Sequence, residues 1–217
     1  MSISHHLTDE TLLRYAAGTL PAGPALVVAT HLESCAKCRA RLLAFEAVGG
    51  ALLDALPPER MEPDALARLM ARIDAQEAPA PETAPRRMPD FPGDIRLPAA
   101  LSACEIGPWK WAGPGVRMSR VTVPGGGESG AVLLRIGAGR RLPEHGHGAL
   151  ELTQVIYGSF SDIYGRYGPG DVSETDEDVD HQPVVDASGE CICLAALEGQ
   201  MLFKGFLGRL AQPFVRF

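Results

Sequence analysis

Two groups of side chains in this sequence have the types and spacings of metal sites. In "HLESCAKC", His31 stands four residues before Cys35, and Cys35 three before Cys38. On a helix, residues four apart project from one face about a turn apart. A C-x-x-C brings two thiolates to one tetrahedral ion from a turn or a helix start. Three ligands thus converge, and His5 and His6, just before the first helix, are candidates for a fourth. Two other uses stand beside the metal: a redox pair, which ordinarily opens a helix after a strand, and small buried thiols with His31 on a surface face. The spacing HxxxCxxC is more specific than a lone C-x-x-C, and its surroundings are helical, which favours a structural zinc site.

The second group lies in "GRRLPEHGHGALELTQVIYG", with His145, His147 and Glu151. All three have odd numbers, so on a continuous extended segment they face one side, which in a barrel can be the interior. A bend at Gly146 or Gly148 would upset that parity. His181, after "GPGDVSETDEDVD", is the candidate fourth ligand. Imidazoles with one carboxylate suit zinc, manganese, iron, nickel or copper; the alternative is a set of exposed loop histidines beside glycines. Cys191 and Cys193, two apart in the apolar "CICLAAL", share a strand face with Cα atoms about 6.5–7 Å apart, a poor start for a mutual disulfide. They read first as small buried residues, and second as a redox or metal-tuning pair. Cys104 has no chemical role, and "SETDEDVD" reads as a solvated loop.

The elements that must hold these groups change character along the chain. Helical spacing and stop residues give helices over 8–20, "PALVVATHLESC", "KCRARLLAFEAVGGALLDAL" and "EPDALARLMARIDAQ", the last with Pro63 at its start. "APAPETAPRRMPDFPGD" at 78–94 is too proline-rich for a helix interior or a ladder and reads as a linker. From 95 onward, short apolar runs alternate with Gly and Pro turns, among them "VRMSRVTVPGGG", "AVLLRIGAG", "LELTQVIYGSF", "CICLAAL" and "MLFKGFL". This half reads as an all-β barrel or sandwich. The fold class is therefore α+β multidomain: a helical domain at 1–77, a linker at 78–94 and a β-domain at 95–217.

Composition narrows the uses. A net charge of −7 disfavours direct grip on a nucleic-acid backbone. No apolar run approaches the roughly 20 residues that span a bilayer, and "MSISHHLTDE" has no basic region leading into an apolar one. The expectation is a cytoplasmic chain with no membrane partner. Five cysteines, an odd number with two in a C-x-x-C, favour metal ligation in a reducing compartment over a disulfide framework.

An N-terminal histidine followed by HxxxCxxC within four helices resembles the zinc-binding anti-sigma domain, which clamps extracytoplasmic-function sigma factors. His6, His31, Cys35 and Cys38 fall on its ligand positions. Gly139, His145, His147, Glu151 and Gly158 resemble the first cupin motif at every signature position, while Gly168, Pro169, Gly170 and His181 resemble the second more loosely. Together with "CICLA" and the ending "LAQPF", the chain is similar to the ChrR family of cytoplasmic anti-sigma factors. The resemblance implies an N-terminal four-helix anti-sigma domain and a C-terminal cupin β-barrel. It also implies zinc in the first domain, zinc or another divalent transition metal in the second, and a sigma factor as partner. Release would follow an oxidative signal, singlet oxygen or an organic hydroperoxide, sensed by the barrel. Leu66, Leu69, Met70 and Ile73 of the fourth helix are the candidates for sigma contact, with packing inside the bundle as their other use. The rival from another class is a cupin dioxygenase or isomerase with His145, His147, Glu151 and His181 around a catalytic metal. Such an enzyme has no evident use for the first cluster.

Overall fold

Apolar spacing and capping residues divide the N-terminal part into four helices: α1 (Asp9–Ala16), α2 (Ala22–Ser34), α3 (Ala36–Asp54) and α4 (Ala65–Asp74). Thr8 caps α1, its hydroxyl accepting the Thr11 N–H at 3.2 Å, and Gly18 takes a positive φ of 66° just beyond the helix. The helices expected over 8–20 and 62–76 are thus shorter at both ends. Cys35 separates α2 from α3. It adopts an extended conformation, and its sulfur accepts the Cys38 N–H at 3.4 Å. The computed structural model describes residues 2–75, 89–92, 95–127, 129–176, 179–198 and 201–203, with the side chains of His147 and 201–203 outside that set. Most of the proline-rich segment at 78–94, part of "MLFKGFL" and all of "LAQPF" lie outside the described residues. Among the described residues, no helix is long and apolar enough to cross a membrane.

The C-terminal part is antiparallel β-structure. It comprises β1 (Glu105–Ile106), β2 (Lys110–Gly113), β3 (Val116–Thr122), β4 (Ala131–Ile136), β5 (His145–His147), β6 (Glu151–Tyr157), β7 (Phe160–Asp162), β8 (Gly165–Tyr167), β9 (Val172–Thr175), β10 (Val184–Val185), β11 (Cys191–Leu197) and β12 (Met201–Phe203). The large sheet runs β1-β3-β4-β11-β6-β9, with β2 also on β3; β10-β7-β8 and β12-β5 form two smaller sheets.

Strand β11 shows how the halves join. It is buried almost end to end, as expected of a strand covered on both faces. Ile192, Leu194 and Ala196 belong to one core with Leu26, Val27, Val28 and Leu32 of α2, whereas Cys191 and Cys193 belong to another with Ile136, Val155, Phe160 and Tyr167. Helix α2 therefore covers the outer face of the large sheet. Each fully buried Leu or Val contributes roughly 1.5–3 kcal/mol, so core burial holds the helices on the barrel independently of the linker. Polar contacts join the same surfaces. The Thr8 and Thr11 hydroxyls both donate to Glu174 at 2.6 Å, and Arg14 makes a two-pronged ion pair with Glu198 at 2.6 and 3.1 Å. Helix α4 differs from the other three, since none of its residues is buried.

Candidate metal centres

The first cluster is assembled by the junction of α2 and α3. His31 comes from the last turn of α2, Cys35 from the break, Cys38 from the first turn of α3, and His6 from the segment before α1. One ligand atom from each lies within 4.8 Å of every other. His6 Nδ1 is 3.3 Å from the Cys35 sulfur and 3.8 Å from that of Cys38. A tetrahedral ion with bonds of about 2.0–2.3 Å needs ligand atoms roughly 3.3–3.8 Å apart, so the spacing fits. His5 lies elsewhere, its ring against Tyr167 with centroids 4.2 Å apart.

Protonation suits the same use. His31 Nδ1–H donates to the Gly170 carbonyl at 2.9 Å, leaving Nε2, fully buried and without a hydrogen-bond partner, as the ring atom available to the cluster. Burial lowers the His31 pKa below the usual histidine value. His6 is lowered as well, by burial and then by Lys37 and Arg41. Both imidazoles are thus neutral near pH 7, the form that binds a metal. Burial also pushes the Cys38 thiol up, which a cation at the site would reverse.

The second cluster joins β5, the start of β6 and a segment bridged to β5. His145 and His181 exchange both backbone hydrogen bonds, at 3.2 and 3.1 Å, which sets their rings side by side. His145 Nδ1–H donates to the Pro143 carbonyl at 2.8 Å, and His181 Nδ1–H to the buried Asp162 carboxylate at 3.1 Å. With both Nδ1 protons committed outward, the two Nε2 atoms face each other across 3.3 Å. In these tautomers the two Nε2 atoms converge on one point, an arrangement that suits a shared cation. Glu151, buried at the head of β6, completes a group whose ligand atoms lie within 4.8 Å of each other. His147 lies in β5, but its side chain is outside the described set. The parity expected for one continuous strand gives way to two, β5 and β6, separated by a turn. Gly158, at the end of the motif, has a φ of 72°, and a Cβ there would lie 2.1 Å from the Glu190 carbonyl oxygen.

Against known proteins, residues 99–200 match the family described as the ChrR cupin-like domain. The whole chain is 43% identical over 222 residues, covering 100% of both sequences, to the anti-sigma-E factor ChrR of Cereibacter sphaeroides. The chain belongs to the ChrR family of anti-sigma factors. A crystal structure of Rhodobacter sphaeroides SigE in complex with the anti-sigma ChrR superposes with a TM-score of 0.71 at 41% identity, covering 91% of this chain and 100% of that one. The full-length relative is an anti-sigma factor, a regulator rather than an enzyme, which sets aside the dioxygenase or isomerase alternative.

Within this ChrR-family fold, the Cys191 and Cys193 sulfurs lie 3.5 Å apart, nearer than their Cα spacing in a regular strand suggests. The β11–β6 register shifts between Ile192 and Cys193, an irregularity the sequence pattern does not reveal. Their mutual hydrogen bond, then burial, then Glu151 raise the Cys193 thiol well above its ordinary value, so it is protonated in the resting protein. Leu66, Leu69, Met70 and Ile73 are about 50–70 % exposed and join no core cluster among the described residues. Sequence reasoning missed Asp162 and Asp171, which meet the candidate ligands or their neighbours only through the tertiary fold. The Gly168-Pro169-Gly170 turn was the one signal near either.

Proposed function

We propose that this chain binds and inhibits an extracytoplasmic-function sigma factor through its helical part and releases it when the barrel meets singlet oxygen or an organic hydroperoxide. The observation that carries this reading is the full-length identity to an anti-sigma factor, joined to a helix, α4, that leaves its apolar residues uncovered. An amphipathic helix with Leu66, Leu69, Met70 and Ile73 in solvent suits insertion into an apolar groove of a partner.

In this reading His6, His31, Cys35 and Cys38 hold zinc, which supplies a structural clasp between the N-terminal segment and the α2–α3 junction. His145, His147, Glu151 and His181 hold zinc or another divalent transition metal, which supplies a reactive centre inside the barrel. The chain's own residues set the conditions. Pro143 and Asp162 orient two imidazoles, and the barrel core excludes water from Cys191 and Cys193. These cysteines are the candidate redox or tuning pair. The chain acts in the cytoplasm and touches neither nucleic acid nor membrane directly.

The test is co-expression with candidate extracytoplasmic-function sigma factors, followed by affinity capture and transcription in vitro. Capture of one sigma factor, with transcription repressed and then restored by singlet oxygen or hydroperoxide, is the expected result. If no sigma factor binds, the reading fails; if one binds and neither oxidant releases it, the sensing half fails.

A further inference from the structure

The two candidate metal clusters share one support. Strands β7 and β8 form a hairpin that continues into the tight turn Gly168–Asp171. At the barrel end, Asp162 of β7 accepts the hydrogen bond of His181 Nδ1–H at 3.1 Å, with both side chains buried. At the other end, the Gly170 carbonyl accepts the hydrogen bond of His31 Nδ1–H at 2.9 Å. The next residue, Asp171, accepts the backbone N–H of Ser4 at 2.7 Å and of His5 at 2.9 Å, fixing the two residues that precede His6. Its second oxygen accepts the Gly168 N–H at 2.8 Å and closes the turn. Between the ends, the His5 ring lies on Tyr167 and Tyr167 stacks on Phe160, with centroids 4.8 Å apart. There is little slack. Gly170 holds a φ of 91°, and a Cβ there would meet the Ile3 side chain at 2.9 Å.

We infer that the β7–β8 hairpin and its 168–171 turn couple the two sites, with Asp162 and Asp171 as positioning residues at its ends. The inference rests on reading both clusters as metal sites. An ion in the barrel fixes the His181 ring, and through Asp162 the hairpin. The ordered hairpin presents the Gly170 carbonyl and the Asp171 carboxylate in the places that aim His31 and His6 at the first ion. Binding at either site then meets a partner already ordered by the other, so each ion raises the affinity for its counterpart by the same factor. Damage to the barrel site would thereby loosen the helical clasp without any motion of the linker.

The test uses the full chain and cobalt, whose thiolate charge-transfer band reports the Cys35–Cys38 site. Cobalt affinity there is measured against a competing chelator, with total metal counted separately. His145→Ala, which empties the barrel, is expected to weaken the first site by about five-fold or more and to alter its band. Asp162→Ala should act in the same direction with every ligand retained. Asp162→Asn, which keeps an oxygen acceptor for the imidazole, should restore most of the loss. Asp171→Ala should weaken the first site and remove the further effect of His145→Ala. Should a variant fail to fold, titration of the metal-free wild-type chain decides alone, since coupling makes occupancy of the first site rise cooperatively with that of the second. Two ions bound with independent affinities overturn the coupling while leaving the metal sites intact. Fewer than two ions bound would instead overturn the reading on which it rests.

Discussion

His31 divides its work between its ring nitrogens. Nδ1–H is tied to the Gly170 carbonyl, and burial keeps the ring neutral, so Nε2 carries a buried lone pair with no hydrogen-bond partner among the described residues. Metal uptake should accordingly draw no proton from either histidine near pH 7. It should draw one from Cys38, whose thiol burial holds above the ordinary value. Titration calorimetry in buffers of differing ionisation enthalpy should thus show proton release on zinc binding, with apparent affinity rising as pH rises through the neutral range. Metal analysis should find two ions per chain, with Cys35→Ala losing one and His145→Ala losing the other; a single ion unaffected by Cys35→Ala would remove the first site. The thiols of β11 behave differently. Buried at 0 % and 1 % exposure, with Cys193 held protonated, Cys191 and Cys193 should resist alkylation in the native protein and react only on unfolding. Rapid labelling of either in the folded chain, read by mass spectrometry, would contradict this.

At the scale of elements, α2 carries the most structure per residue. It is apolar almost all round, which marks a helix buried on more than one side rather than the surface member of a small bundle. One side meets β4, β6 and β11, the end meets the 168–171 turn, and Thr30 within it bonds to Gln154 of β6. Its first turn approaches the sheet backbone closely, where a Cβ on Gly23 would lie 2.0 Å from the Gly130 carbonyl oxygen. Gly23→Ala should therefore push the helix off the sheet and cost about 1–3 kcal/mol, seen as a lower thermal midpoint. Gly49→Ala in α3, where a Cβ meets nothing within 4 Å, should leave the midpoint unchanged or raise it. This division also marks what the sequence discloses. His31, Cys35 and Cys38 are legible because their spacing is local to two helices, and Glu151 and the two histidines of β5 because a short motif carries them. Asp162, Gly170 and Asp171 are not, since the His31–Gly170 bond spans 139 residues and no periodicity records which turn meets which helix. The packing of α2 on the barrel is hidden for the same reason, because a proline-rich stretch reads as separation whether or not the parts it joins share a core.

At the scale of the whole molecule, helices and barrel share a core on one side while α4 and the outer residues of α3 stand apart. Val48, Leu52 and Leu53 of α3 are more than half exposed, like Leu66, Leu69 and Ile73 of α4. An intramolecular role for the α4 residues would require burial that the described residues do not supply, whereas a partner would supply it. The two cases separate experimentally. If the α4 residues serve a partner, Leu66→Asp together with Ile73→Asp should change stability by no more than about 0.5 kcal/mol, as expected for exposed positions. The same pair should weaken capture of the sigma factor by at least about ten-fold, the loss expected when apolar anchors of an interface are replaced by charge. Denaturant unfolding measures the first effect and titration with the captured sigma factor the second. A stability loss of several kcal/mol with binding intact would return α4 to the interior of the protein and leave the sigma contact to be sought on α3.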